Sequence, residues 1–447
     1  MAKEITAQDI AGYKETTAKT PKSSALQNTV MKNGILASSE NMASQVAMDP
    51  VFSVEIDTGS VANQKQSGRC WMFAALNTMR HPIQAQYKLK GFELSQNYTN
   101  FWDKFEKSNW FYENIIDTAG LPLGDRKVDF LLATPQQDGG QWDMLMALIE
   151  KYGVVPQSVM PETYNSSKSN ELNATLNLKL RADAVKLRTL VKEGADDTQI
   201  GEAKDKMLSE VYRILVYSLG NPPTKFDWEY KNDDGDYTRD RDLTPQTFFR
   251  KYVGWNTPDY ISIINSPTDD KPYKHVYTVE FLGNVVGGRQ VRHLNLDINT
   301  FKQLAVKQLQ AGETVWFGSD VGKSSERQKG IMDTDFYHVD DLFDVDLTMT
   351  KAERLDYGES LMTHAMVLTG VDLVDGKPTK WKVENSWGDK VGTKGYFVMS
   401  DKWFDQFVYQ VVINKKFLPA DLKQAFESEF DQPKVLAPWD PMGALAL

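Results

Sequence analysis

An α+β fold in two halves, helices first and strands later, is what the sequence predicts, and three observations carry it. Cys70-Trp-Met-Phe-Ala-Ala-Leu-Asn-Thr-Met79 is a largely apolar run of helical length that starts at the chain's single cysteine. Segments such as Leu178-Lys-Leu-Arg-Ala-Asp-Ala-Val-Lys-Leu-Arg-Thr-Leu190 set apolar residues at helical spacing among charges, as solvent-facing amphipathic helices do. Strand-like runs follow: His275-Val-Tyr-Thr-Val-Glu-Phe-Leu282, then a stretch from Thr363 to Met399 that reads as a β-meander.

In chain order, residues 1–58 mix polar, helix-permissive stretches with Gly and Ser breaks and form an N-terminal arm or a removable pro-segment. Residues 59–161 are the helical half, rich in aromatics. Residues 162–290 are a mainly helical insertion, with charged helices from Asn165 to about Gly220 and a turn-rich stretch from Asn221 to Asp242. The β-rich half covers 291–415. A C-terminal arm, 416–447, ends in Ala437-Pro-Trp-Asp-Pro-Met-Gly-Ala-Leu-Ala-Leu447, held extended by its two prolines.

A chain of 447 residues is longer than one hydrophobic core organises, so a core with large insertions, or several domains, is expected. With 41% hydrophobic and 25% charged residues the composition is that of a globular protein, not a disordered, fibrous or membrane chain. A net charge of −10 repels polyanions, which argues against nucleic acid or anionic lipid as partners. The first ten residues include acids and lack an apolar run of signal-peptide length, and no 18-residue apolar stretch occurs, which predicts a cytoplasmic protein with no membrane span.

A lone cysteine forms no internal disulfide and no multi-thiolate zinc site, so its setting decides between inert packing and a reactive thiol. Asn63-Gln-Lys-Gln-Ser-Gly-Arg-Cys-Trp71 places it after a Gly-containing loop, at a helix start whose N–H groups and dipole favour the thiolate. Arg69, if turned inward, pushes the same way. Gln64, six residues upstream, carries an amide able to donate beside that thiolate, as an oxyanion hole requires.

Among His81, His275, His293, His338 and His364, the last stands out. It begins a strand-like run that is followed by Asp375-Gly376 and then Lys380-Trp-Lys-Val-Glu-Asn-Ser-Trp-Gly388. If the two runs form an antiparallel hairpin turning between Val374 and Asp375, facing positions add to 749, as 364 and 385 do, and His364 meets Asn385 directly. A turn centred on Asp375-Gly376 makes the sum 751 and leaves them diagonal neighbours on one face. Asn385 beside the imidazole fixes its tautomer and aims the other nitrogen at a thiol, and Trp387, on the same face by period-two alternation, shields that bond. His338-Val-Asp340-Asp341 is a weaker alternative, a metal site of borderline-hard ligands.

Asn63-Gln64, Gly68-Arg-Cys-Trp71, Asp138-Gly-Gly140, Thr363-His-Ala365, Glu384-Asn-Ser-Trp-Gly388, Gly395-Tyr-Phe397 and Trp439-Asp-Pro-Met-Gly-Ala-Leu-Ala446 together span nearly the whole chain. On these pieces the sequence resembles the papain-like cysteine peptidases, and closely the branch of bleomycin hydrolase and bacterial aminopeptidase C. It departs from the papain signature C-G-[SA]-C-[WY] in carrying Ser67 where a disulfide-forming cysteine stands, which suits a reducing cytoplasm. Cys70 and His364 are 294 residues apart (364 − 70), against about 130 to 150 in papain-like enzymes, so the insertion separates the two halves.

The resemblance implies a papain-like two-subdomain fold: a helical half and an antiparallel β-barrel-like half. It implies Cys70 as nucleophile, His364 as general base and acid, Asn385 as orienter, and Gln64 as oxyanion donor with the Cys70 N–H. Gly139 and Gly140 would offer bare backbone to peptide substrates with a free N-terminus. No metal and no organic cofactor is needed. In that family the C-terminal arm lies in the non-primed side of the cleft and its carboxylate meets the substrate's α-ammonium. Here the arm would present Ala446 or Leu447, the latter one residue beyond the shared motif. The resemblance also implies a homohexamer with its active sites on an internal channel. The rival readings are an endopeptidase of the same fold and a nucleic-acid-binding assembly, since some relatives bind DNA.

Overall fold

The computed structural model describes residues 3–446 and is α+β, with helices and strands segregated much as the sequence pattern requires. The N-terminal arm consists of α1 (Ala7–Lys19), α2 (Ser23–Asn33), α3 (Ile35–Ser39) and α4 (Met42–Ala47), and ends in the short strand β1 (Val54–Glu55). Thr6 and Asp9 close a capping box at the start of α1. Helices α1 and α2 lie on the surface, with Ile10, Tyr13 and Met31 exposed.

The helical half holds α5 (Cys70–Tyr87), α6 (Gln96–Asp117), α7 (Arg126–Ala133) and α8 (Trp142–Tyr152). Helix α5 is buried all round from Cys70 to His81, so it is central. The insertion continues with α9 (Tyr164–Ser167), α10 (Asn170–Lys192) and α11 (Asp197–Leu219). Leu172, Leu176, Leu180 and Leu187 form a buried stripe that meets Val211 and Leu215 in one core, while the charges between them face water. The span expected to be mainly helical, 162–290, carries its long helices only in this first part; beyond Gly220 it holds strands and short helical turns.

From Asn221 to Asp242, where turns are expected, the chain forms the antiparallel hairpin of β2 (Phe226–Lys231) and β3 (Tyr237–Leu243). Alternation puts Phe226, Trp228 and Tyr230 on the packed face, and Trp228 meets Phe248 of α12 (Pro245–Phe248) edge to face at 5.2 Å. Strands β4 (Tyr260–Ile264), β5 (Val276–Val279) and β6 (His293–Asn295) then enter the main sheet before α13 (Ile298–Gln310).

The β half adds β7 (Val315–Ser319), β8 (Ser325–Glu326), β9 (Ile331–Met332), α14 (Val339–Phe343), α15 (Lys351–Asp356), β10 (His364–Val374), β11 (Lys377–Glu384), β12 (Tyr396–Ser400), α16 (Asp401–Phe407), β13 (Val408–Asn414), α17 (Ala420–Ser428) and β14 (Lys434–Leu436). Its strands run in the order β14-β5-β6-β4-β13-β7-β10-β11-β12-β9-β8, with β1 against β10, and the path does not close into a barrel. Helices α13 and α16 cover one face through Phe301, Leu304, Trp403 and Phe404. Helix α5 packs on the other, across β7 and β10, where the Trp316 indole donates to the Trp71 carbonyl at 3.0 Å.

The β10–β11 hairpin turns on Asp375 and Gly376, both with positive φ (51° and 75°), as a two-residue primed turn demands. Val367 faces Glu384 and Val374 faces Lys377, which is the second of the two registers anticipated above. His364 and Asn385 are therefore diagonal rather than opposite.

Candidate active site

Cys70 is the first residue of α5, and its thiol is fully buried against the start of β10, where the Ala365 N–H points at Sγ from 3.4 Å. Burial pushes the thiol up to about 12; the N–H groups of Ala365, Trp71 and Cys70 itself pull it down, and the Asp138 carboxylate adds to the rise. The lowering expected at a helix start thus operates but is outweighed by the loss of water. Arg69 takes no part: its guanidinium turns away to a bidentate pair with Glu162 at 3.1 and 2.7 Å.

His364 is 2% exposed and sits opposite Ser319 of β7. Its Nε2 lies 2.9 Å from Asn385 Oδ1. That same oxygen accepts the backbone N–H of Ser386 at 2.8 Å, and since a backbone N–H only donates, the atom facing the imidazole is oxygen. Nε2 therefore carries a proton, and in the neutral ring Nδ1 is the basic nitrogen. The Trp387 ring lies 4.9 Å from the imidazole and covers it, and Arg327 stacks on Trp387 at 4.2 Å.

The loop before Cys70 is stitched to the segment after β11. Asn63 bridges Trp387, the Gln64 N–H donates to the Ser386 carbonyl at 2.8 Å, and Ser386 Oγ donates to Gln64 Oε1 at 2.5 Å. Gln64 Nε2 donates to the Ser67 carbonyl at 2.6 Å, so one of its two N–H groups braces the loop carrying Cys70. Gly388 has φ +74°, and a Cβ there would lie 2.5 Å from Asn63 Nδ2, so glycine alone permits this close approach.

Gly139 and Gly140 border the thiol's helix on the other side. A Cβ on Gly140 would stand 2.5 Å from the Trp71 ring. The Gly140 N–H donates to the Ala446 carbonyl at 3.2 Å, in an antiparallel bridge, and Gln141 Nε2 donates to the Ala444 carbonyl at 2.6 Å. Ala446 is fully buried there. The C-terminal arm thus covers the backbone expected to bind substrate, while Leu447 lies outside the described residues.

Sequence reasoning passed over the charges beneath this edge. Asp138 accepts from Lys104 Nζ at 2.6 Å, from the Gly68 N–H at 2.8 Å, and from Ser169 Oγ. Burial works to raise its pKa, but Lys104 and these donors overcome that and hold the carboxyl well below the usual range. Lys107 ties Asp103 to the Gly139 carbonyl, at 2.7 and 2.6 Å. The Asp-Gly-Gly run was the only available signal, because in a sequence buried charges look like surface ones.

Around His338, Nδ1 meets Asp341 at 2.9 Å and Nε2 meets Asn41 at 3.1 Å. Among the described residues no group of three or more His, Cys, Asp or Glu side chains is gathered as metal ligands. Nor is any helix among them long and apolar enough to cross a membrane.

The Peptidase C1-like family matches residues 4–443 of the chain. The chain is 61% identical to Aminopeptidase C of Lactobacillus delbrueckii subsp. lactis over 446 residues, covering 100% of this chain and 99% of that protein. It is 53% identical to Aminopeptidase C of Listeria innocua, with both chains fully covered. The crystal structure of PepW from Lactobacillus rhamnosis HN001 matches with a TM-score of 0.99, 74% identity and complete coverage of both chains.

Proposed function

The chain belongs to the Peptidase C1-like family, and from that premise we propose that it is a thiol aminopeptidase, removing residues from peptides that have a free N-terminus. Cys70 Sγ attacks the scissile carbonyl carbon to give a tetrahedral oxyanion. The thiolate forms by passing the Cys70 proton to His364 Nδ1, and Asn385 holds the imidazole in the orientation that receives it. The Cys70 N–H and the remaining N–H of Gln64 Nε2 hold the oxyanion. His364 then protonates the leaving amine; the C–N bond breaks and leaves an aminoacyl thioester. Water, deprotonated by His364, attacks that thioester, releases the amino acid and restores the thiol.

The observation that carries the exopeptidase part is Ala446 paired with Gly140. An arm lying there leaves little of the cleft for residues N-terminal to the scissile bond, and a terminal carboxylate beyond it would pair with a substrate ammonium. We further place the enzyme in the cytoplasm, as a homohexamer of the bleomycin hydrolase type. Supporting this are the single cysteine, Ser67 in place of a disulfide partner, and the exposed apolar residues of α1 and α2.

The test is hydrolysis of a free-amine aminoacyl substrate and its N-acetylated counterpart by the intact chain, with Cys70→Ala as blank. Cleavage of only the free-amine substrate, abolished in Cys70→Ala, is expected. Equal cleavage of both would make the chain an endopeptidase, and activity surviving in Cys70→Ala would remove the thiol from the mechanism.

A further inference from the structure

The arm's tip makes two hydrogen bonds to the cleft edge, Gln141 to Ala444 and Gly140 to Ala446, and buries Met442 and Ala446 against the core. A polar attachment lies at Asp440, six residues before Ala446. Asp440 Oδ1 accepts the Met442 N–H at 2.8 Å and closes the turn of Pro441–Gly443, while Oδ2 meets Lys271 Nζ at 2.9 Å. Both sides of that pair are largely sheltered, the Lys271 side chain 4% and the Asp440 side chain 10% exposed.

Lys271 does not follow the arm; it belongs to a loop fixed to the sheet. Its carbonyl accepts from Asn295 Nδ2 at 2.6 Å, and Asn295, fully buried in β6, also exchanges hydrogen bonds with Ser266. Beyond the turn, Gly443 presses on Val279 of β5 so closely that a Cβ would come within 2.9 Å. A cavity of about 780 Å³ opens beside the arm, with Lys271, Asp440, Gln137 and Leu445 among the residues that line it.

Building on the aminopeptidase reading above, we propose that the Lys271–Asp440 ion pair is the clasp that sets the arm's tip against Gly140 and thereby determines exopeptidase selectivity. Neither residue touches the reacting atoms; both are positioning residues that act through the arm. Loss of the pair would loosen the turn of Pro441–Gly443, from which residues 444–446 run to the cleft edge.

The experiment measures kcat/KM for a free-amine aminoacyl substrate and for an N-acetylated dipeptide substrate. It uses the full-length chain, Asp440→Asn, Lys271→Met, Lys271→Arg, and a chain lacking residues 444–447. Asp440→Asn keeps an oxygen for the Met442 N–H and leaves Lys271 paired with Asp270 at 2.7 Å, so it strands no buried charge. The expected result is a fall in the free-amine to acetylated ratio of about tenfold or more in Asp440→Asn and Lys271→Met, the scale of one charge-assisted contact. Lys271→Arg should keep the ratio close to that of the full-length chain. A general loss of stability would lower both rates together and leave the ratio fixed, which overturns the clasp. An unchanged ratio in the variants, with the truncated chain cleaving the acetylated substrate, also overturns the clasp but leaves the arm's role standing. Failure of the truncated chain to cleave the acetylated substrate overturns that role as well.

Discussion

Asn385 does two things with one oxygen, accepting the Ser386 N–H and facing His364 Nε2, and the first makes the second rigid. Asn385→Ala is expected to lower kcat by up to about 10²-fold, because a loose imidazole forfeits part of general-base catalysis, and to cost about 1–3 kcal/mol of stability by stranding the buried Ser386 N–H; stopped assays at saturating substrate and urea unfolding measure the two. Gly140 is constrained by contact, its Cα lying over Trp71. Gly140→Ala should shift the strand edge or the indole and raise KM for peptides, measured beside a thermal melt to separate binding from unfolding. The sequence singles out Cys70, Gln64, His364 and Asn385 as candidates because each sits in a short run with a chemical reason for its neighbours. Asp138, Lys104 and Lys107 are not singled out, since their burial depends on helices and loops far apart in sequence.

The hairpin of β10 and β11 was legible at the level of elements because Asp375-Gly376 is turn chemistry between two apolar runs. Its register needed the structure to choose between two sums. Hairpin β2–β3 escaped notice because its exposed face is charged and its packed face holds only three aromatics. At the far end of β11, Glu384 accepts from Asn77 at 3.1 Å and from Arg80 at 3.0 Å, and pairs with His81 at 3.1 Å. This buried carboxylate joins the helix of Cys70 to the strand that leads into Asn385. Glu384→Ala strands Arg80 and should cost about 3–5 kcal/mol, read by urea unfolding. In β6, His293 is fully buried beside Ser262 at 2.7 Å, and burial lowers its pKa from 6.5 to about 4. The unfolded chain therefore binds the extra proton first, and stability falls as pH drops from about 6.5 to 4. The full shift amounts to about 3 kcal/mol at 1.36 kcal/mol per unit. Denaturant midpoints across that range should show this limb, and His293→Gln should flatten it.

Across the whole molecule, the site exists only where the two halves meet, with Cys70 supplied by α5 and His364 by β10. Cys70 and His364 lie far apart in the chain because a charged helical insertion, packed on α6 through a leucine stripe, stands between them. What the sequence does not show is how the C-terminal arm is held, because the Lys271–Asp440 contact links two turns with no local signature. The central claim, a covalent thioester on Cys70, is tested most directly by acid-quenching the enzyme during turnover of a free-amine aminoacyl ester and locating the adduct by peptide mass spectrometry. One aminoacyl group on the peptide containing Cys70, absent from Cys70→Ala, is the predicted result. Turnover with no adduct on that peptide, or an adduct on another residue, would contradict it.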